Sequence, residues 1–131
     1  MKPDCCLDTS CWLEWLQGGP NTAHYLPLLR TPESILVPAI CLYEVWKYTE
    51  RTAGTAKAQQ ITDWMRQGIV CPVDADLAIA AAGISHRHKI PMADSLIYAT
   101  ARAHGVDLWS QDDHHQPLEG TRYHPKLPAQ P

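Results

Sequence analysis

Asp4-Cys5-Cys6-Leu7-Asp8-Thr9-Ser10-Cys11-Trp12-Leu13-Glu14-Trp15-Leu16 sets a strand, a turn and a helix in immediate succession. Cys5 to Leu7 is an apolar run of strand length, and Asp8, Thr9 and Ser10 supply side-chain oxygens able to accept from the free N–H groups of a helix start. Apolar residues at 11, 12, 15 and 16 then recur at helical spacing. The chain repeats this alternation. A short helix is expected over residues 23–30, with Pro27 inside it, and a strand over 34–37, closed by Pro38. Helical patterns over 39–51 and 57–67 are parted by Gly54, and Gly68 punctuates before a third strand over 69–73. Asp74 is placed to cap a helix over 77–85. Pro91 stands at an N1-like position of another helix, which runs to His104 and stops at Gly105. Residues 107–110 read as a fourth strand and 121–124 as a short fifth. Short strands separated by helices form βαβ units with parallel neighbours and right-handed connections. The expected fold class is α/β: a three-layer α/β/α sandwich with a central, mostly parallel sheet of four to five strands.

The 131 residues suffice for one hydrophobic core. The expected division is one domain over 1–124 and a Pro-rich C-terminal tail over 125–131. With 45% hydrophobic and 19% charged residues, the composition excludes a disordered chain. No apolar run is long enough for a membrane span, and residues 1–6 lack the basic and apolar segments of a signal peptide, so no membrane partner and a cytoplasmic location are expected. Five cysteines without a Cys-x-x-Cys pair argue against a disulfide framework or a zinc ribbon and read as small core residues. The pairs His86/His88 and His114/His115 do not set two imidazoles on one helix face at i, i+4, which argues against a histidine metal site. A net charge of −3 lacks the basic surplus of most nucleic-acid binders, so any contact with RNA has to be local.

In open parallel sheets, ligands bind beyond the carboxyl ends of the strands. Four acids meet that criterion: Asp8 after the first strand, Glu44 on the helix after the second, Asp94 in the first turn of the helix near Pro91, and Asp112 after the fourth strand. Each has an ordinary explanation. Asp8 serves as a helix cap, Glu44 pairs with Lys47, Asp94 interacts with the helix dipole for roughly 0.3–1 kcal/mol, and Asp112 forms a turn. Four unrelated acids would not be expected at one end of one sheet. Two carboxylates ~5 Å apart repel by about 3 kcal/mol at an effective dielectric of 20, so such a cluster calls for a cation. An oxygen-only donor set suits Mg²⁺ or Mn²⁺ better than zinc.

Four segments carry a resemblance over nearly the whole chain: residues 6–10 (Cys-Leu-Asp-Thr-Ser), 37–44 (Val-Pro-Ala-Ile-Cys-Leu-Tyr-Glu), 90–101 (with Ala93-Asp94-Ser95-Leu96-Ile97 at its centre) and 105–112 (Gly-Val-Asp-Leu-Trp-Ser-Gln-Asp). In order and spacing they resemble the PIN-domain ribonucleases, specifically the VapC-type toxins of toxin–antitoxin modules. The resemblance implies that Asp8, Glu44, Asp94 and Asp112 are the acidic quartet, with Asp8 and Asp94 as direct metal ligands. It implies supporting hydroxyls from Ser110 and from Thr9 or Ser10, a protein antitoxin as partner, a homodimer, and RNA as substrate of metal-assisted hydrolysis. One departure is evident: where the family has an acid and an aromatic after its last acid, this chain reads Asp112-Asp113-His114-His115, which leaves the fourth acid open between Asp112 and Asp113, with Asp112 favoured. Arg87 and Lys89 are the first candidates for an RNA-binding rim, and Lys47, Arg51 and Arg102 the next. Trp12 and Trp15 read as core residues or, in the family's terms, as anchors for an antitoxin segment. The alternative to catalysis is a non-catalytic PIN-like RNA- or partner-binding protein. A phosphoacceptor domain is disfavoured because Asp8-Thr9-Ser10 lacks a second acid in Asp-x-Asp spacing, and a structure-specific DNA nuclease lacks room for its extra helices.

Overall fold

The computed structural model describes residues 2–128. In chain order the elements are β1 (Cys5–Leu7), α1 (Thr9–Gln17), α2 (Thr22–Leu29), a 3-10 turn (Pro32–Ser34), β2 (Ile35–Pro38), α3 (Ala39–Ala53), α4 (Thr55–Met65), β3 (Ile69–Cys71), α5 (Ala75–His88), α6 (Met92–Ala103), β4 (Leu108–Ser110) and β5 (Thr121–Tyr123). Every expected helix and strand occurs, with three local corrections. The third strand ends at Cys71, because Pro72 has no N–H to continue a ladder. Pro91 is the N-cap of α6 and Met92 its first residue, one position later than expected. Residues 86–88, expected in a loop between helices, form the last turn of α5, which Lys89 closes in the left-handed region at φ 57°.

The strands pair in parallel in the order β3-β2-β1-β4-β5. β1 to β2 to β3 steps one way, and the chain then returns across the sheet to β4. Right-handed crossovers put α1–α4 on one face and α5–α6 on the other, giving the three layers. Burial agrees: every residue of β1 and β2 is buried, as in strands covered on both faces, whereas the edge strands β3 and β5 are only partly covered. Residues 95–101 of α6 are buried without a break, as befits a helix that is apolar around its whole circumference. Trp12, Leu7, Leu36, Val37, Ile97 and Leu108 fill the centre, each contributing about 1.5–3 kcal/mol of burial free energy or more. All five cysteines are free; four are buried, and burial raises the Cys6 and Cys41 thiols well above their ordinary value, so they act as neutral core groups.

The topology reverses direction between β1 and β4, and this is where the sheet opens a crevice at the carboxyl ends of its strands. The return from β4 to β5, residues 111–120, is a parallel crossover without a helix. It lies along α6, where Tyr98 donates to the Glu119 carbonyl at 2.6 Å. The first carbonyl of the expected tail, that of Pro125, accepts from Asn21 Nδ2 at 2.9 Å; the end of that tail, 129–131, lies outside the described residues.

Gly68 is fixed by close approach: a Cβ there would stand 2.5 Å from the Ile35 carbonyl oxygen and 2.9 Å from Val37 Cγ2. Gly68→Ala should therefore push β3 from β2 and lower unfolding free energy by about 1–3 kcal/mol in urea denaturation.

Candidate active site

Asp8 ends β1 and is also the N-cap of α1, so the cap reading and the site reading both hold for one side chain. Its Oδ2 accepts from the Ser10 N–H at 3.1 Å and from the Ser10 hydroxyl, which leaves Oδ1 directed into the crevice. Ser10 Oγ in turn accepts from the Gln111 N–H at 2.9 Å, tying the end of β4 to the start of α1. Asp8 is only 3% exposed.

Glu44 lies one turn into α3, and Thr9 Oγ1 donates to its Oε1 at 2.7 Å. The alternative partner, Lys47, instead lies over the Tyr43 ring, 5.8 Å from its centroid. Asp94 stands in the first turn of α6, and Asp112 follows β4 by two residues. Asp112 is half-buried and Asp113 exposed. One ligand atom each from Asp8, Asp94 and His115 fall within 4.8 Å of one another, as do one each from Asp94, Asp112 and His114. Asp94 is common to both groups.

The two histidines were set aside in the sequence for want of helical spacing, and the fold places both at the acids. His114 Nδ1 lies 2.9 Å from Asp94 Oδ2 and 3.0 Å from Asp112 Oδ1, bridging them. His115 is fully buried, with Nδ1 2.8 Å from Ser110 Oγ and Nε2 3.0 Å from the Asp94 carbonyl oxygen. Both sit in the helix-free crossover, where residues have no periodicity to reveal their direction. The available signal was the replacement of the family's acid and aromatic by these imidazoles.

Burial, then the charge of Asp112, raises the Asp94 carboxyl to about 6, against the opposing pull of His115 and His114. Glu44 is raised by burial, partly countered by the Thr9 hydrogen bond, with Asp8 and Asp112 adding to the rise. For His114 burial lowers the pKa, but Asp112 and Asp94 together outweigh it, and the pKa rises. The donor chemistry fits a hard divalent ion: Asp94 is paired with Asp8 in one group and with Asp112 in the other, and burial together with the Asp112 charge keeps its carboxyl high despite the two histidines.

The expected basic rim is more dispersed. Arg87 and Lys89 are exposed at the end of α5, and no hydrogen bond or ion pair joins them to the acids among the described residues. Arg102, two turns along α6 from Asp94, packs against Gly120. Lys47 and Arg51, by contrast, line a groove of about 310 Å³ that includes Thr9, Leu13, Tyr43, Glu44 and Tyr48. A larger, mostly apolar cleft of about 630 Å³, lined by Val73, Ala81, Met92 and Leu96, holds none of the four acids, so size does not locate the chemistry. Trp12 is fully buried, while Trp15 is half-buried against Trp64, their centroids 6.2 Å apart.

The PIN domain family profile matches residues 5–119. No curated protein matches the sequence. Among solved structures, a toxin–antitoxin complex from Klebsiella pneumoniae is similar at a TM-score of 0.77 and 16% identity, over 91% of this chain and 96% of that one. VapC20 of Mycobacterium tuberculosis, described as a sarcin-ricin loop cleaving toxin, is similar at 0.73 and 21%, over 88% and 95%. VapBC2 of Rickettsia felis, bound to a promoter DNA fragment, is similar at 0.71 and 15%, over 93% and 98%. At these identities the likeness is one of fold.

A carboxyl raised in the folded state stabilises the fold below its ordinary value of 3.8, and that contribution is lost as pH rises through about 6. Metal-free protein should therefore lose stability from this group between those values. Added Mn²⁺ should raise the melting temperature at pH 7.5 and do so much less at pH 5, where protons compete for Asp94; thermal melts with and without Mn²⁺ at both pH values measure it.

Proposed function

The chain belongs to the PIN domain family, and from that membership and its converging acids we propose that it is a divalent-metal-dependent endoribonuclease, a VapC-type toxin that hydrolyses RNA phosphodiester bonds. The observation that carries this reading is that Asp94, on α6, stands within 4.8 Å of Asp8, which follows β1, in one group and of Asp112, which follows β4, in another, beside the switch point of the sheet. Held by Asp8 and Asp94, with Glu44 and Asp112 beside it, Mg²⁺ or Mn²⁺ would lower the pKa of a water and offset charge on the phosphate.

The chain's own groups supply the rest. Thr9 fixes Glu44 Oε1, leaving Oε2 to orient a water or hold its proton, a task suited to a carboxyl whose pKa burial has raised. Ser10 and Ser110 hold the acid-bearing backbone in place. Glu44, Lys47 and Arg51 follow one another at i, i+3 and i+7 on α3, so the groove changes from acidic to basic within a turn of the reacting centre. No ion pair engages Lys47 or Arg51 among the described residues, and both are free to meet phosphates flanking the scissile bond. Arg87 and Lys89 are secondary candidates for that role.

The same reading brings a protein antitoxin, a homodimer and a cytoplasmic setting. The structural relatives include toxin–antitoxin complexes, and no helix of the described residues is long and apolar enough to cross a membrane. Light scattering on the purified chain tests the dimer.

With a mixed RNA pool, wild-type protein should cleave only when Mg²⁺ or Mn²⁺ is added, and folded Asp94→Asn should lose roughly 10²-fold or more of that rate. Metal-independent cleavage, or full activity in Asp94→Asn, refutes the mechanism; no cleavage under any condition supports the non-catalytic alternative. In the Asp94→Asn background, Lys47→Ala with Arg51→Ala should weaken single-stranded RNA binding and reduce the slope of log Kd against log salt by about 1.4, two phosphate contacts' worth.

A further inference from the structure

We infer that His115 is a positioning residue for the acid cluster, holding Asp8, Asp94 and Asp112 at their mutual distances from within the core. The inference deepens the proposed function and rests on it. Histidine is seldom wholly buried without a task, and the surroundings of this one are specific. Its Nε2 faces the Asp94 backbone carbonyl at 3.0 Å. A carbonyl only accepts, so Nε2 carries a proton and donates to it. Nδ1, on the other side of the ring, is in hydrogen-bond contact with Ser110 Oγ at 2.8 Å.

Ser110 ties the ring to two of the acids. Its Oγ accepts from the Asp112 N–H at 3.0 Å and donates to Asp8 Oδ2 at 3.4 Å, and His115 Nδ1 lies 3.9 Å from Asp8 Oδ1. One ring thus spans the first turn of α6, the end of β4 and the end of β1.

The arrangement also explains how a helix-free crossover is anchored. Residues 94, 98 and 102 lie on one face of α6 at successive turns. Along that face the crossover is held by His115 at the Asp94 carbonyl, by the Tyr98 hydroxyl at Glu119, and by Arg102 against Gly120. Of these three contacts, the one made by His115 lies at the acids. An apolar ring of equal volume would fill the space and leave the Asp94 carbonyl, Ser110 Oγ and Asp112 N–H to rearrange.

The test uses the full chain, with Mn²⁺ as the probe. Affinity is measured by calorimetry at a temperature where circular dichroism shows each variant folded, and melting temperature is measured separately in chelator. His115→Phe should weaken Mn²⁺ binding by roughly tenfold or more, and His115→Gln, which retains an N–H donor, should recover part of the loss. Leu118→Ala serves as the stability control: it removes a buried side chain from the same crossover while keeping the backbone N–H that Leu118 donates to the His115 carbonyl at 3.0 Å, and should melt lower with wild-type Mn²⁺ affinity. Folded His115→Phe with wild-type affinity, or an equal loss in Leu118→Ala, would overturn the inference. Should His115→Phe not fold, Ser110→Ala decides: a several-fold loss of affinity supports the role and an unchanged affinity refutes it. Wild-type protein that binds no Mn²⁺ would overturn the metal reading, and this inference with it.

Discussion

Mutual repulsion of carboxylates gathered in a half-buried crevice is the constraint around which this molecule is arranged. Asp94 has a carboxylate oxygen within 4.8 Å of one on Asp8 and, in a second group, within 4.8 Å of one on Asp112, where Coulomb repulsion amounts to about 3 kcal/mol per pair at an effective dielectric of 20. A fold left to minimise its own energy would separate them. Here they are held by covalent and hydrogen-bonded necessity, since each acid is anchored on a different element that the core fixes independently. Burial first, and the Asp112 charge second, push the Asp94 carboxyl up to about 6 even with two imidazoles beside it.

Local devices of folding are reused to build the site. Asp8 caps α1 with one oxygen and faces the crevice with the other. The Ser10 hydroxyl links that cap to the backbone after β4, and Ser110 accepts from the Asp112 N–H two residues on. Such bonds cost little beyond what a helix start and a strand end already require, because those backbone groups need partners in any case. Rigidity at the acids follows from the same interactions that terminate the elements.

The acidic character of the chain as a whole and its proposed affinity for RNA are reconciled on α3. Glu44 lines the same groove as Lys47, Arg51, Tyr43 and Tyr48, at the end marked by its hydrogen bond from Thr9. A net charge of −3 describes the sum and not this surface. Local arrangement decides which part of a substrate is attracted and which is held at the reacting centre.

Much of this was legible in the chain itself. Alternating short apolar runs and helical periods gave the α/β class and every element to within a few residues, because periodicity and capping are local properties. The four candidate acids could be singled out by their position after strands and on the helices that follow them. Burial of Trp12 and of most of the cysteines followed from the same patterns. Strand order was not local: that β1 lies between β2 and β4, and so brings the end of β1 beside the end of β4, depends on pairing with one segment about thirty residues away and another about a hundred. His114 and His115 were invisible for a related reason. They occupy a crossover with no repeating period, so only the packing of residues 111–120 along α6 decides that one imidazole bridges two acids while the other is enclosed behind them.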